Sequence, residues 1–173
     1  SIVPGDAVLD NAAKAINASK RPAILYGAGC RTAAAEVIAL SEKLNAPLLH
    51  TTRSKDIIDN NHPNVLGGIG IMGNHPANHA MQEADLLIVV GCNFAWRQFY
   101  PSGIPIVKID NSPEHLATHV PVTHPVLGSA KPSVDGLLDR TEAKTDDHFL
   151  KKSRKPLVKL IDDYTFRAKK TKP

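Results

Sequence analysis

The stretch Gly27-Ala28-Gly29 follows the apolar run PAILY and precedes a helix-like stretch opening near Thr32. Glycine lets the backbone turn sharply and lets a phosphate come close. A helix start behind such a turn offers free N–H groups and the positive end of its dipole to an anion. Cys30 and Arg31 stand directly after the turn, and Thr32 occupies the place where a third glycine would complete a dinucleotide fingerprint. Four more segments carry similar chemistry. They are the hydroxyls of Thr51-Thr52, the Gly-rich GGIGIMG (Gly67–Gly73), the GCNFAWR run (Gly91–Arg97) and the pair Asp110-Asn111. An acid at the end of a late strand accepts hydrogen bonds from ribose hydroxyls. Each segment alone reads equally well as a turn, a cap or a surface cation; jointly they suit a nucleotide-containing ligand.

Other candidates carry less. His75 and His79 are four apart, as are His115 and His119, so each pair could share a helix face. No Glu or Cys completes a zinc set at a familiar spacing, so surface or loop histidines are expected and no metal site. Cys30, near a helix start, is expected to have a lowered thiol pKa, but no His-Asp relay stands beside it and a small turn residue is the better reading. No GxSxG nucleophile elbow is present. Two cysteines make no disulfide framework and suit free thiols in a reducing cytoplasm.

The elements that would position these residues alternate. Pro22–Tyr26, Pro47–Thr51, Leu86–Val90 and Ile104–Ile109 are short, rich in Ile, Leu and Val, and do not alternate with polar residues, as strands buried on both faces do. A weak strand is expected within Val120–Leu127. Helices are expected over Asp6–Ala18, with Val8, Ala12, Ala15 and Ile16 on its stripe, and over Thr32–Leu44, Pro76–Ala84 and Ser133–Arg140. The pattern predicts one doubly wound, Rossmann-like α/β domain with a parallel sheet of about six strands. The chain has 173 residues, 42% hydrophobic and 22% charged, with no apolar run long enough to span a membrane and no signal-peptide pattern at its start.

The net charge of +4 is unevenly spread. Lys151–Pro173 holds nine Lys/Arg and two Asp, or +7, which leaves −3 on residues 1–150. A basic tail on an acidic body is poor support for a nucleic-acid partner. We read residues 1–145 as the nucleotide-binding domain and 146–173 as a helical, basic linker expected to pack poorly, with Pro156 breaking one long helix or starting a second.

The segments RPAILYGAGCR, HTTRSKDIIDNNHPNVLGGIGIMG, EADLLIVVGCNFAWRQFYP and IVKIDNSPEHLATH, in this order, resemble the middle domain of thiamine-diphosphate (ThDP) enzymes over nearly the whole chain. ADLLIVVG and IDNSPEHL are generic to that superfamily, whereas the FxxRxFYP pattern of Phe94–Pro101 is similar to the bacterial pyruvate oxidase (quinone-dependent pyruvate dehydrogenase) branch. In the oxidase and acetolactate synthase branches this domain binds FAD. The resemblance implies that Gly27, Ala28, Gly29, Cys30 and Arg31 cradle its diphosphate, that Thr51 and Thr52 approach the flavin, and that Gly70, Ile71, Met72 and Gly73 lie along ribityl and diphosphate. It further implies that Gly91, Cys92, Asn93 and Arg97 line the next strand end and that Asp110 and Asn111 meet the adenosine. One departure is Gly128-Ser129 where the family has Gly-Asp; Ser129 keeps a hydrogen-bonding group but not the acid.

The family's ThDP-activating glutamate and its GDG-to-NN motif for Mg²⁺ and diphosphate belong to flanking domains, and no GDG occurs here. The resemblance therefore implies an excised middle domain that does not decarboxylate pyruvate alone. ThDP and Mg²⁺ would be bound only by the parent enzyme, a homo-oligomer, tetrameric by family likeness. Its partners would be the other domains, with no nucleic acid and any membrane contact through regions outside this sequence. Two alternatives stand beside the flavin-dependent reading: a structural or ADP-binding middle domain of a non-flavin ThDP decarboxylase, and a sirtuin-like nucleotide-dependent enzyme. The latter lacks its paired CxxC zinc module.

Overall fold

Apolar runs without alternation need cover on both faces. In a computed structural model describing residues 1–170, they form a six-stranded sheet: β1 (Pro22–Tyr26), β2 (Leu48–His50), β3 (Val65–Gly68), β4 (Leu86–Val90), β5 (Ile106–Asp110) and β6 (His124–Leu127). The order is β3-β2-β1-β4-β5-β6, and every neighbouring pair is parallel. Ile24 of β1 pairs with Leu48 of β2 on one side and with Ile88 of β4 on the other.

Parallel neighbours require crossovers; α2 (Ala34–Leu44), α3 (His75–Glu83) and the single turn α4 (Pro113–Leu116) lie in them, while α1 (Asp6–Ala18) precedes β1 and α5 (Ala130–Arg140) and α6 (His148–Lys170) follow β6. Successive strand residues point to opposite faces. Ile24 and Ile88 therefore meet Ile16, Val37, Leu40 and Val134 from α1, α2 and α5. Leu25 and Val89 meet Ala77 and Met81 of α3 and Phe149 of α6 on the other face. Ile24 and Leu25 are fully buried, which stabilises the fold by about 1.5–3 kcal/mol per side chain.

The fold is the expected one, with four local differences. Val65–Gly68, whose glycines read as part of a loop, is strand β3, recruited by pairing with β2 across a register shift after Leu48. On α1 the buried residues are Leu9, Ala12, Ala13 and Ile16, so Val8 faces solvent. Helix α2 starts at Ala34 rather than Thr32, because a 3-10 turn over Ala28–Cys30 intervenes.

The fourth difference is the end of the chain. Pro156 lies inside α6 without interrupting it. The first turns of that helix dock on the sheet through buried Phe149 and Ser153 and partly buried Leu157. Lys152 pairs with Glu83 of α3 at 3.0 Å. Poor packing beyond Asp146 is thus confined to the second half of the helix, where Val158, Ile161, Tyr164 and Phe166 are exposed. Residues 171–173, the last of the expected linker, lie outside the described part. No described helix is long and apolar enough to cross a membrane.

Candidate nucleotide cleft at the strand ends

The chain leaves β1 toward β2 and β3 on one side of the sheet and later builds β4, β5 and β6 on the other. The chain therefore continues to opposite sides of the sheet after β1 and β4, and a crevice opens at their carboxyl ends, with the first residues after the two strands forming its floor. It is a cleft of about 490 Å³. Gly27, Ala28, Gly29 and Gly91 line it centrally, Thr51, Thr52 and Arg53 from β2, and Asp110, Asn111 and His115 from β5. Cys92, Asn93 and Phe94 to Trp96 form a further wall, with Gly128 and Ala130 beyond β6.

The glycine turn is shaped first by its own chain. Gly27 N–H donates to Val90 O and Gly29 N–H to Gly91 O, each at 3.0 Å. A Cβ on Gly29 would lie 2.8 Å from Gly91 Cα, and one on Gly27 would collide with Gly91 O and Cys92. The glycines let the loops after β1 and β4 touch, so ligand approach is not what makes a side chain impossible there. Between them the Ala28 amide has no partner among the described residues.

On the β2 side, Thr51 Oγ1 and Ser54 Oγ lie 2.9 Å apart, and Ser54 Oγ reaches Tyr26 O at 3.0 Å, which binds this loop to β1. The Thr52 hydroxyl has no partner among the described residues, and exposed Arg53 supplies a cation on the wall. On the β5 side, Asp110 is nearly buried, and its Oδ1 accepts from Ser112 N at 3.0 Å and from His115 Nδ1 at 3.2 Å. Pro113 starts the one-turn helix that folds His115 back over Asp110. Beneath them Lys108 is buried and donates to His115 O, and burial pushes its pKa down.

Several expected site residues stand elsewhere. Cys30 is buried, donates to Val90 O at 3.1 Å, and its thiol is pushed up to about 12 by burial, opposite to the expected lowering. Arg31 turns outward to Asp56 at 2.8 Å. Arg97 sits exposed in a 3-10 turn outside the cleft wall. Ser129 is tied to the chain's start: its Oγ accepts from Ile2 N at 2.9 Å and its N–H donates to Ile2 O at 2.8 Å.

The Gly70–Gly73 loop also lies off the cleft. Gly70 donates to Asn78 Oδ1 at 2.8 Å and faces the Phe94 ring, while Ile71 and Met72 are exposed. Met72 and Gly73 border a second cleft of about 550 Å³ with His50, Lys55 and Leu157. Cys92 lines the first cleft with its thiol also pushed up to about 12, and Asn93 accepts from Thr118 Oγ1 at 3.0 Å. His75 and His79 stack at 5.8 Å on α3, whereas His119 lies past the end of α4 with φ 73°. No group of three metal-ligating side chains occurs among the described residues.

Arg53, Trp96 and His115 are wall residues that sequence reasoning did not place in the cleft. Only the Ser-Pro pair before His115 signals its position, as a helix start just after a strand end. The donors and acceptors fit a nucleoside diphosphate. The Ala28 amide, Thr52 hydroxyl and Arg53 guanidinium suit an anion, and the second oxygen of Asp110 and the Asn111 amide, without partners among the described residues, suit a sugar and base.

The thiamine pyrophosphate enzyme central-domain signature matches residues 9–137. The chain is 33% identical to YdaP of Bacillus subtilis over 150 residues, covering 87% of this chain and 26% of that protein. It is 41% identical over 111 residues to 3D-(3,5/4)-trihydroxycyclohexane-1,2-dione hydrolase of Bacillus licheniformis, covering 63% of this chain and 17% of that one. Benzoylformate decarboxylase from Polynucleobacter necessarius superposes with TM-score 0.69 at 23% identity over 84% of this chain and 29% of that one. The chain thus spans about a quarter of the length of relatives such as YdaP.

Proposed function

Because this chain belongs to the thiamine pyrophosphate enzyme central-domain family, we propose that it is the FAD-holding domain of a ThDP-dependent oxidoreductase acting on pyruvate or a similar 2-oxo acid. The observation that carries the proposal is the donor arrangement at the β1/β4 switch point, where an open amide, a hydroxyl and Arg53 face Asp110 and Asn111 across one cleft. The resemblance of Phe94–Pro101 to the pyruvate oxidase branch supports the substrate class. The ThDP chemistry would belong to domains outside this sequence, to which α6 would lead. The family membership replaces the sirtuin-like alternative.

In this reading Ala28 N–H, Thr52 and Arg53 hold the diphosphate, and Asp110 and Asn111 hold the adenosine. FAD would supply electron transfer to the parent enzyme; this chain's residues bind and orient it. Titration of FAD, followed by visible absorbance and calorimetry, tests the proposal. Saturable binding with a shifted flavin spectrum is the expected result, and ADP binding without flavin discrimination would favour an ADP-binding or structural domain. The position of Arg97 and Gly70–Gly73 outside the cleft is the observation on the side of that second reading.

A further inference from the structure

Trp96 is the chain's one tryptophan, and it stands 50% exposed on the wall of the cleft. The backbone on either side of it is held in place. Phe94 and Tyr100 are buried with ring centroids 5.7 Å apart, and Tyr100 OH donates to Phe94 O at 3.1 Å. Phe99 N–H donates to Trp96 O at 3.1 Å, and Asn93 is fixed to Thr118. A flat apolar ring, half-exposed on a pinned loop that lines a cleft, loses little conformational freedom when something covers it.

We propose that the Trp96 indole stacks on the planar heteroaromatic ring of the nucleotide in the cleft, making it the aromatic contact of the loop after β4. The inference rests on the nucleotide reading above. Aromatic stacking recognises any flat π system, so adenine and the flavin ring share the chemistry. Asp110 and Asn111 line the same cleft as Trp96, as do Thr51 to Arg53, so the adenine end and the flavin end are the two arms of the test.

The test is calorimetric titration of FAD, ADP and FMN into the chain and into Trp96→Ala and Trp96→Phe, with melting curves of the unliganded proteins. Trp96→Ala should bind FAD about 5- to 150-fold more weakly, Trp96→Phe should keep most of the affinity, and the unliganded melts should coincide. A loss shared with ADP identifies the ring as adenine, and one shared with FMN identifies it as flavin. Undiminished FAD binding by Trp96→Ala overturns the stacking and leaves the nucleotide reading intact. Failure of the unaltered chain to bind all three overturns that reading and the stacking with it.

Discussion

The Gly29 amide donates to the Gly91 carbonyl at 3.0 Å, and neither residue has room for a side chain. A Cβ on Gly91 would lie 2.7 Å from Gly29 Cα, and Gly91 also has φ +55°, a conformation L-residues rarely adopt. Gly29→Ala and Gly91→Ala should each cost about 1–3 kcal/mol of stability with no ligand present, with the larger loss at Gly91. Urea unfolding gives the readout, and unchanged midpoints would show that the loops separate freely. Gly29→Val, in consequence, tests the fold before it tests a ligand.

Asp110 holds the end of β5 and α4 through Oδ1, which leaves its second oxygen for a ligand hydroxyl. Asp110→Asn preserves shape and removes the charge. A charge-assisted hydrogen bond of about 1.5–3 kcal/mol corresponds to roughly 10- to 150-fold in affinity. The unaltered chain should prefer ADP to its 2′,3′-dideoxy analogue by a margin that Asp110→Asn abolishes. Equal preference in both proteins would remove Asp110 from sugar recognition.

The thiols of Cys30 and Cys92 are pushed from 9.0 up to about 12, chiefly by burial. Unfolded chains release these protons near pH 9, while the folded chain retains them. The stability they support is complete below pH 9 and is lost as pH rises toward about 12, by at most about 1.4 kcal/mol per pH unit for each thiol. Buried Lys108 acts oppositely: its depressed pKa makes its contribution grow with pH up to 10.5, offsetting part of the loss. Urea midpoints at about pH 8 and pH 10 should fall in that order, and Ellman's reagent should react with the thiols only on unfolding. A higher midpoint at pH 10 would contradict this account.

Pro156 cannot donate to the carbonyl of Lys152 four residues back, and its ring crowds that turn. Pro156→Ala should raise helical ellipticity at 222 nm and stabilise α6 by up to about 3 kcal/mol. Unchanged ellipticity would mean that docking through Phe149 and Ser153 alone sets the extent of the helix.

What was legible in the sequence follows from what each residue depends on. Helix α1 has the expected bounds, Asp6–Ala18, because its entry and exit are local. Strands β1 and β4 are apolar throughout, so their ends, and with them Gly27 and Gly91, could be found by reading alone. Strand β3 could not, since half of its four residues are glycines and only pairing with β2 makes it a strand. Cys30 and Arg31 follow the glycines directly, but the 3-10 turn sends one inward and the other to Asp56. The same kind of turn carries Arg97 off the cleft wall while Trp96 beside it remains on that wall, a choice that no spacing rule encodes.

The position of β1 has a consequence for synthesis on the ribosome. β1 lies between β2 and β4, so Leu25 has one neighbour at Leu49 and the other at Val89. The nascent chain can pair β1 with β2 soon after both emerge, but the opposite edge stays bare until β4 has been made. Through that interval the strand presents unpaired N–H and C=O groups and apolar side chains, a template for another chain. Slower translation between β2 and β4 therefore lengthens the time for which that edge of β1 stays unpaired.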